Sequence, residues 1–166
     1  SLFSMLVAAS VAAPSLVVAQ VAGAPSAVAA DAAQGKVLLN LDKQQVALKG
    51  YDPVAFHTVG RPVEGRTELT SSWQGATYRF STVDHKRMFD ADPAKYAPAY
   101  GGYCAYGVSR GYTAPVDIRT GQIINGRLVL NYSLGVKETF DKDQAGYLAK
   151  AEGNWPGLVE KEGKKP

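Results

Sequence analysis

Residues 99–107 read Ala-Tyr-Gly-Gly-Tyr-Cys-Ala-Tyr-Gly and contain Cys104, the only cysteine of the 166-residue chain. The pair Gly101-Gly102 permits close approach of a ligand or of another backbone segment, because glycine has no side chain to obstruct it. A single cysteine cannot form an internal disulfide, so this thiol is a metal ligand, a redox group or a packed core side chain. The glycines and tyrosines favour an irregular or strand-like conformation over residues 101–111.

The regions on both sides of this stretch show hairpin and helix patterns. Downstream, Asn125-Gly126 between two apolar runs is a strong hairpin signal, and Ser133 and Asp143 are placed to begin two helices. Upstream, Gln74-Gly75 predicts another hairpin. The remaining predictions are a helix over residues 83–91, a helical turn from residue 93 and strands over residues 37–41, 46–48 and 54–59. This mixture predicts an α+β fold, in which two β-hairpins form a small antiparallel sheet with helices packed on it.

The first residues have the pattern of an export signal. Residues 1–29 contain no charged side chain, residues 6–19 are almost wholly apolar, and Ala27-Val28-Ala29 follows them. An apolar core that ends in small residues is typical of a secretory signal peptide. We therefore expect residues 1–29 to be such a peptide, truncated at its start because the usual positive segment is absent. The mature protein is then periplasmic or secreted, with no membrane span after cleavage.

Charge and motif content narrow the classes of function. All 18 basic and 15 acidic residues follow residue 29, and the net charge is +3. The two signs are mixed along the chain, whereas a nucleic-acid surface clusters basic side chains with aromatic ones. The chain also has no nucleophile elbow, no glycine-rich phosphate loop and no thiol pair. These patterns exclude a nucleic-acid partner and leave a metal ion, a small molecule or another protein.

Several sequence blocks resemble the YHS domain, a small module that also occurs in heavy-metal ATPases. The first blocks are Asp52-Pro53-Val54, Tyr78-Arg79-Phe80-Ser81 and residues 89–96. With the further blocks at residues 49–55, 96–105, 130–132 and 154–156, the chain is similar to exported, stand-alone bacterial YHS-domain proteins. The resemblance implies an α+β domain over residues 46–156 built around a YHS core helix. A lead segment, residues 30–45, then precedes it, and a polar tail, residues 157–166, follows it.

Three positions depart from the metal-binding members of that family. Those relatives carry cysteines where this chain has Ala55, Ser81 and His85. A neutral serine hydroxyl is a poor ligand for soft metals, and alanine has no donor atom. The thiolate site of the family is therefore not expected here, and only His85 keeps a residue type that binds metals.

Cys104, His57 and His85 form the candidate metal site. One cysteine and two histidines suit copper or zinc, with Asp52, a tyrosine or water in a fourth position. Because 28 and 19 positions separate the three residues along the chain, only the fold can bring them together. Each also has a plainer interpretation, namely an outward strand residue for His57, an exposed helix residue for His85 and a core residue for Cys104.

Tyrosines near the cysteine form a second candidate site, for a small ligand. Tyr78, Tyr103 and Tyr106 supply rings with apolar faces and polar hydroxyls, and Asp52 supplies a carboxylate. The alternative is that these rings belong to the core and that their hydroxyls bond to the backbone.

Three hypotheses of function follow. In the first, the chain is an exported YHS-type binding protein that holds a copper or zinc ion, or a small molecule, near Cys104. In the second, it is a non-catalytic interaction or structural module that has lost the metal site and contacts another periplasmic protein. In the third, it is a thiol-based redox protein or an enzyme in which Cys104 works with a histidine and Asp52. The decisive geometry is whether the Cys104 thiol and the His57 imidazole face one cavity.

Overall fold

The structure, a computed structural model, describes residues 35–166. The predicted signal peptide and the first residues of the lead segment lie outside the described residues. In chain order the elements are α1 (Pro53–Thr58), β1 (Arg66–Trp73), β2 (Ala76–Phe80), α2 (Val83–Ala91), α3 (Pro93–Tyr96), α4 (Ala105–Ser109), β3 (Asp117–Ile124), β4 (Arg127–Asn131), α5 (Leu134–Asp141) and α6 (Gln144–Glu162), with 3₁₀ segments at Leu48–Gly50 and Ala99–Gly102.

The α+β fold is confirmed, and both predicted hairpins are present. β1 pairs with β2 and β3 pairs with β4, each antiparallel, and the two hairpins stay separate two-stranded sheets. Helix α1 lies between them and contacts β2 as well as β3 and β4. Because α1 occupies this position, the hairpins pack on a shared helix and do not join into one sheet.

Within residues 35–166, the core consists of three clusters of buried side chains. The first surrounds Trp155 and Val159 of α6, and the second joins the β1–β2 hairpin to Phe89 of α2. The third packs Phe56 of α1 and Cys104 against the β3–β4 hairpin. Residues 157–162, which the sequence assigned to the polar tail, continue α6 and bury Leu158 and Val159.

The strand predicted over residues 54–59 is wrong, because most of these residues form helix α1. The Asp52 side chain accepts hydrogen bonds from the backbone N–H groups of Val54 and Ala55, and Pro53 occupies the first helical position. An aspartate cap followed by proline is a strong helix start, because it satisfies N–H groups that have no partner inside the helix. This local signal overrides the strand preference of the β-branched residues 54, 58 and 59.

The expectation of irregular or strand-like backbone over residues 101–111 is also wrong for much of its length. A 3₁₀ segment ends at Gly102, and helix α4 begins at Ala105. The Cys104 thiol caps α4, since its Sγ accepts a hydrogen bond from the Gly107 N–H at 3.4 Å. The cysteine thus takes the role that a serine or aspartate usually has at a helix start.

The two short strands predicted before residue 50 are reduced to isolated bridges. Val37 pairs with Lys164, Leu41 with Ala47, and Val46 with Thr77 of β2. These contacts attach the lead segment to the end of α6 and to the first hairpin. Among residues 35–166, no helix combines the length and the apolar character that crossing a membrane requires.

Candidate functional site

Asp52 is the centre of a buried polar cluster. Its side chain is 0% exposed. Oδ1 accepts from the N–H groups of Val54 at 2.9 Å and Ala55 at 3.3 Å. Oδ2 accepts from the N–H of Ser81 at 2.8 Å, from its Oγ at 2.6 Å and from Nδ1 of His85 at 2.6 Å. Five donors therefore surround one carboxylate, and this supply of hydrogen bonds makes its burial tolerable.

His85 connects this carboxylate to a hydroxyl group on α1. Because an ionised carboxylate only accepts, Nδ1 of His85 carries the proton that it donates to Asp52. Nε2 lies 3.1 Å from Oγ1 of Thr58, which in turn donates to the Val54 carbonyl at 3.1 Å. A carboxylate–imidazole–hydroxyl chain also occurs in hydrolases. An imidazole that donates only from Nδ1 accepts at Nε2, so the contact with Thr58 uses the same hydroxyl proton that the Val54 carbonyl accepts, and this shared proton links α1 to α2.

His57 lies in the last turn of α1 and points elsewhere. Its ring meets the Tyr96 ring edge to face, with the centroids 5.2 Å apart. Nε2 is buried and has no hydrogen-bond partner within residues 35–166. Burial lowers the pKa of His57, and the nearby Lys95 cation lowers this pKa further. Both causes favour the neutral imidazole in the folded protein.

This lowered pKa makes the stability depend on pH. The unfolded chain protonates His57 near pH 6.5, whereas the folded chain does so only at lower pH. Below pH 6.5 the unfolded state therefore binds more protons, and the contribution of His57 to stability is lost as the pH falls. We expect the unfolding free energy, measured with urea between pH 7.5 and 5, to fall less steeply in His57→Gln than in the wild type. Parallel curves for the two proteins would contradict this expectation.

Cys104 is 1% exposed and has partners of its own. Besides the Gly107 N–H, its Sγ accepts from the Tyr132 N–H at 3.2 Å and lies 3.7 Å from Oδ1 of Asn131. Oδ1 of Asn131 also accepts from the Tyr106 N–H at 3.1 Å. The thiol thus lies where the start of α4 meets the end of β4.

The three candidate metal ligands do not meet. His85 is bonded to Asp52, His57 packs on Tyr96, and Cys104 contacts the end of β4. Within residues 35–166, no three or more histidine, cysteine, aspartate and glutamate side chains are grouped so that they could hold a metal ion. The donor set that the sequence suggested for copper or zinc therefore does not fit one site in this part of the chain.

An open apolar groove lies over Cys104. Its volume is about 230 Å³, and its lining consists of Cys104, Tyr106, Tyr112, Ala114, Tyr132 and Val136. Tyr112 and Tyr132 are 50% and 56% exposed, so large parts of their rings face solvent. His57 does not line this groove. Two predicted site residues, Cys104 and Tyr106, do meet here.

The other predicted ligand-binding residues lie apart from the groove. Tyr78 is buried against Phe89, with ring centroids 4.7 Å apart, and burial raises the pKa of its hydroxyl. Tyr103 lines a second cavity of about 440 Å³, where its hydroxyl donates to the Leu39 carbonyl at 3.3 Å. That cavity has an apolar wall and a rim with charges of both signs, namely Asp42, Glu162, Lys164 and Lys165. Asp52 belongs to the buried cluster described above.

Sequence reasoning did not select Tyr132 or Asn131 as site residues. Tyr132 lies 28 positions from Cys104, and only the β3–β4 hairpin returns the chain to the thiol. Two signals pointed towards this contact. One was the Asn-Gly hairpin turn, and the other was the block of residues 130–132 within the YHS resemblance.

Comparison with known proteins identifies no relative of this chain. No family model, no curated protein and no solved structure matches the chain.

Proposed function

We propose that this protein is an exported, YHS-type binding domain that holds a small molecule in the groove beside Cys104. The groove itself carries the proposal, because it joins an apolar lining to two half-exposed tyrosines. Ligand sites are concave and mostly apolar, and those for drug-sized molecules have volumes of about 300–1,000 Å³. A groove of about 230 Å³ therefore suits a smaller molecule.

The hydrogen bonds of the Asp52 cluster support a further part of this proposal, namely that the domain is stable without a metal ion. Ala55, Ser81 and His85 stand where metal-binding YHS relatives carry cysteines, and all three donate a hydrogen bond to Asp52. In this proposal the hydrogen bonds replace metal coordination as the link between α1, β2 and α2. The same observation favours the second candidate function, an interaction or structural module without a ligand.

Binding of a small apolar probe tests the proposal and separates the two candidates. We expect 3,3-dimethylbutan-1-ol, titrated into the protein, to shift the NMR signals of the Tyr106, Tyr112 and Tyr132 rings selectively. Tyr112→Ala should weaken this binding, because it removes one wall of the groove. Val83→Ala is the matched control, since Val83 is 51% exposed but lies on α2, outside the groove.

The pattern of chemical-shift changes in this titration distinguishes a ligand-binding domain from an interaction module. Saturable shifts confined to the groove tyrosines support a ligand-binding domain. Shifts that spread over the whole surface without saturating, or that are absent both with this probe and with choline, its charged isostere, reject the ligand and leave the interaction module.

A further inference from the structure

We propose that the natural ligand of this groove carries a quaternary ammonium group held against the tyrosine rings. This inference rests on the proposed function and names the chemical class that the groove recognises. Three of its six lining residues, Tyr106, Tyr112 and Tyr132, are tyrosines. The face of an aromatic ring is electrically negative, and several rings around one cavity attract an organic cation placed among them.

The lining favours a cation that has no N–H groups. Beside the tyrosines, it consists of Cys104, Ala114 and Val136, so it contains no carboxylate to pair with an ammonium N–H. For a primary ammonium entering this groove, the side-chain oxygen acceptors of the lining are the tyrosine hydroxyls, which are weaker partners than a carboxylate. A quaternary ammonium has alkyl groups in place of N–H groups, and these groups match the apolar surface.

Charges near the groove are compatible with a cation. Among residues 35–166, no residue that lines the groove is charged, so no positive side chain of this part of the chain competes for the ring faces. Lys137, next to Val136, is paired with Asp141 of its own helix. Oε2 of Glu162 lies 3.3 Å from Oγ1 of Thr113, beside Tyr112, and adds negative charge near the groove, which the exposed Lys164 and Lys165 of the second cavity offset in part.

Arg110, two positions before Tyr112, is a neighbouring cation that opposes this inference. Its side chain is exposed. Water and salt screen an exposed charge, so its repulsion of a bound cation is weak. Tyrosine faces that directly touch the ligand act at shorter range and therefore decide the preference.

Choline and its carbon isostere, 3,3-dimethylbutan-1-ol, test the inference directly. The two molecules have the same shape and hydroxyl group and differ in the central atom, a charged nitrogen or a neutral carbon. The hydrophobic effect alone favours the isostere, because it is less hydrated. We expect choline to bind at least about fivefold more tightly, as measured by NMR titration of the same ring signals, because cation–π attraction outweighs that difference.

Ring variants identify the source of the preference. Tyr132→Phe keeps the ring and should keep the preference for choline, whereas Tyr132→Leu and Tyr112→Leu should each reduce it about threefold or more. Both positions are exposed, so the fold should tolerate the substitutions. Val83→Ala again serves as the control.

The failures of the two proposals are distinguishable. Equal binding of both molecules, or tighter binding of the isostere, overturns the ammonium inference and leaves the apolar ligand site in place. Binding of neither molecule overturns both proposals. A preference for choline that survives both leucine variants overturns the assignment to the tyrosine rings.

Discussion

Replacement of Asp52 by asparagine should lower the free energy of unfolding by about 3 kcal/mol, measured by urea denaturation at pH 7. The amide has nearly the same size, so the change alters hydrogen bonding and charge without creating a cavity. Oδ1 can still accept from Val54 and Ala55, but an NH₂ group replaces Oδ2. That group then faces the Ser81 N–H, which loses its acceptor beside a side chain that is 0% exposed.

An exposed aspartate on the neighbouring helix is the control for this change. Asp84 lies in the first turn of α2 and pairs only at the surface with Arg87, at 3.5 Å. Exposed pairs of this kind contribute little to stability, so Asp84→Asn should alter the unfolding free energy much less than Asp52→Asn. If the two variants lose similar stability, the Asp52 cluster does not hold α1 and α2 together as the hydrogen bonds indicate.

Local sequence signals were sufficient for much of the fold. Helix α2 begins after Thr82, whose side chain accepts from the His85 N–H, and it spans the predicted residues 83–91. The Asn-Gly turn likewise predicted the β3–β4 hairpin. These elements were predictable because a cap or a turn depends on residues that are close in sequence.

Helix α1 shows where such reasoning failed. Its β-branched residues favour a strand, whereas the side chain of Asp52 caps it as a helix. The same carboxylate also binds Ser81 and His85, which are 29 and 33 positions away. Contacts over such separations depend on how the elements pack. The sequence could therefore indicate these residues as candidates, but it could not predict the hydrogen bonds that join them.

The residues of the candidate site were likewise predictable only where they lie close together in the sequence. Cys104 and Tyr106 were predicted because they share one short stretch, and both line the groove. The metal set failed as one site because its members belong to three different contacts, on α1, on α2 and at the start of α4. The thiol itself combines two roles, since it caps α4 from the core and forms part of the groove floor.

The stretch that holds Cys104 also fixes how the lead segment attaches to the domain. Gly101 has a φ of +58°, and a Cβ atom at this position would lie 1.9 Å from the Leu38 carbonyl oxygen. The Gly101 carbonyl accepts from the Asn40 N–H at 2.9 Å, and the Gly102 carbonyl accepts from Nδ2 of Asn40 at 3.0 Å. Residues 38–40 can therefore pass this close only because Gly101 has no side chain.

We expect Gly101→Ala to lower the free energy of unfolding by about 3 kcal/mol, because backbone strain and a steric clash act together. Gly60→Ala separates these causes, since Gly60 has a φ of +74° but, among the residues that the structure describes, nothing within 4 Å of an added Cβ. That control keeps the strain without the clash and should cost about 1 kcal/mol. Urea denaturation of both variants gives the difference. If the two losses are equal, the lead segment yields to the new methyl group without cost, and its contact with Gly101 contributes nothing to the stability of the domain.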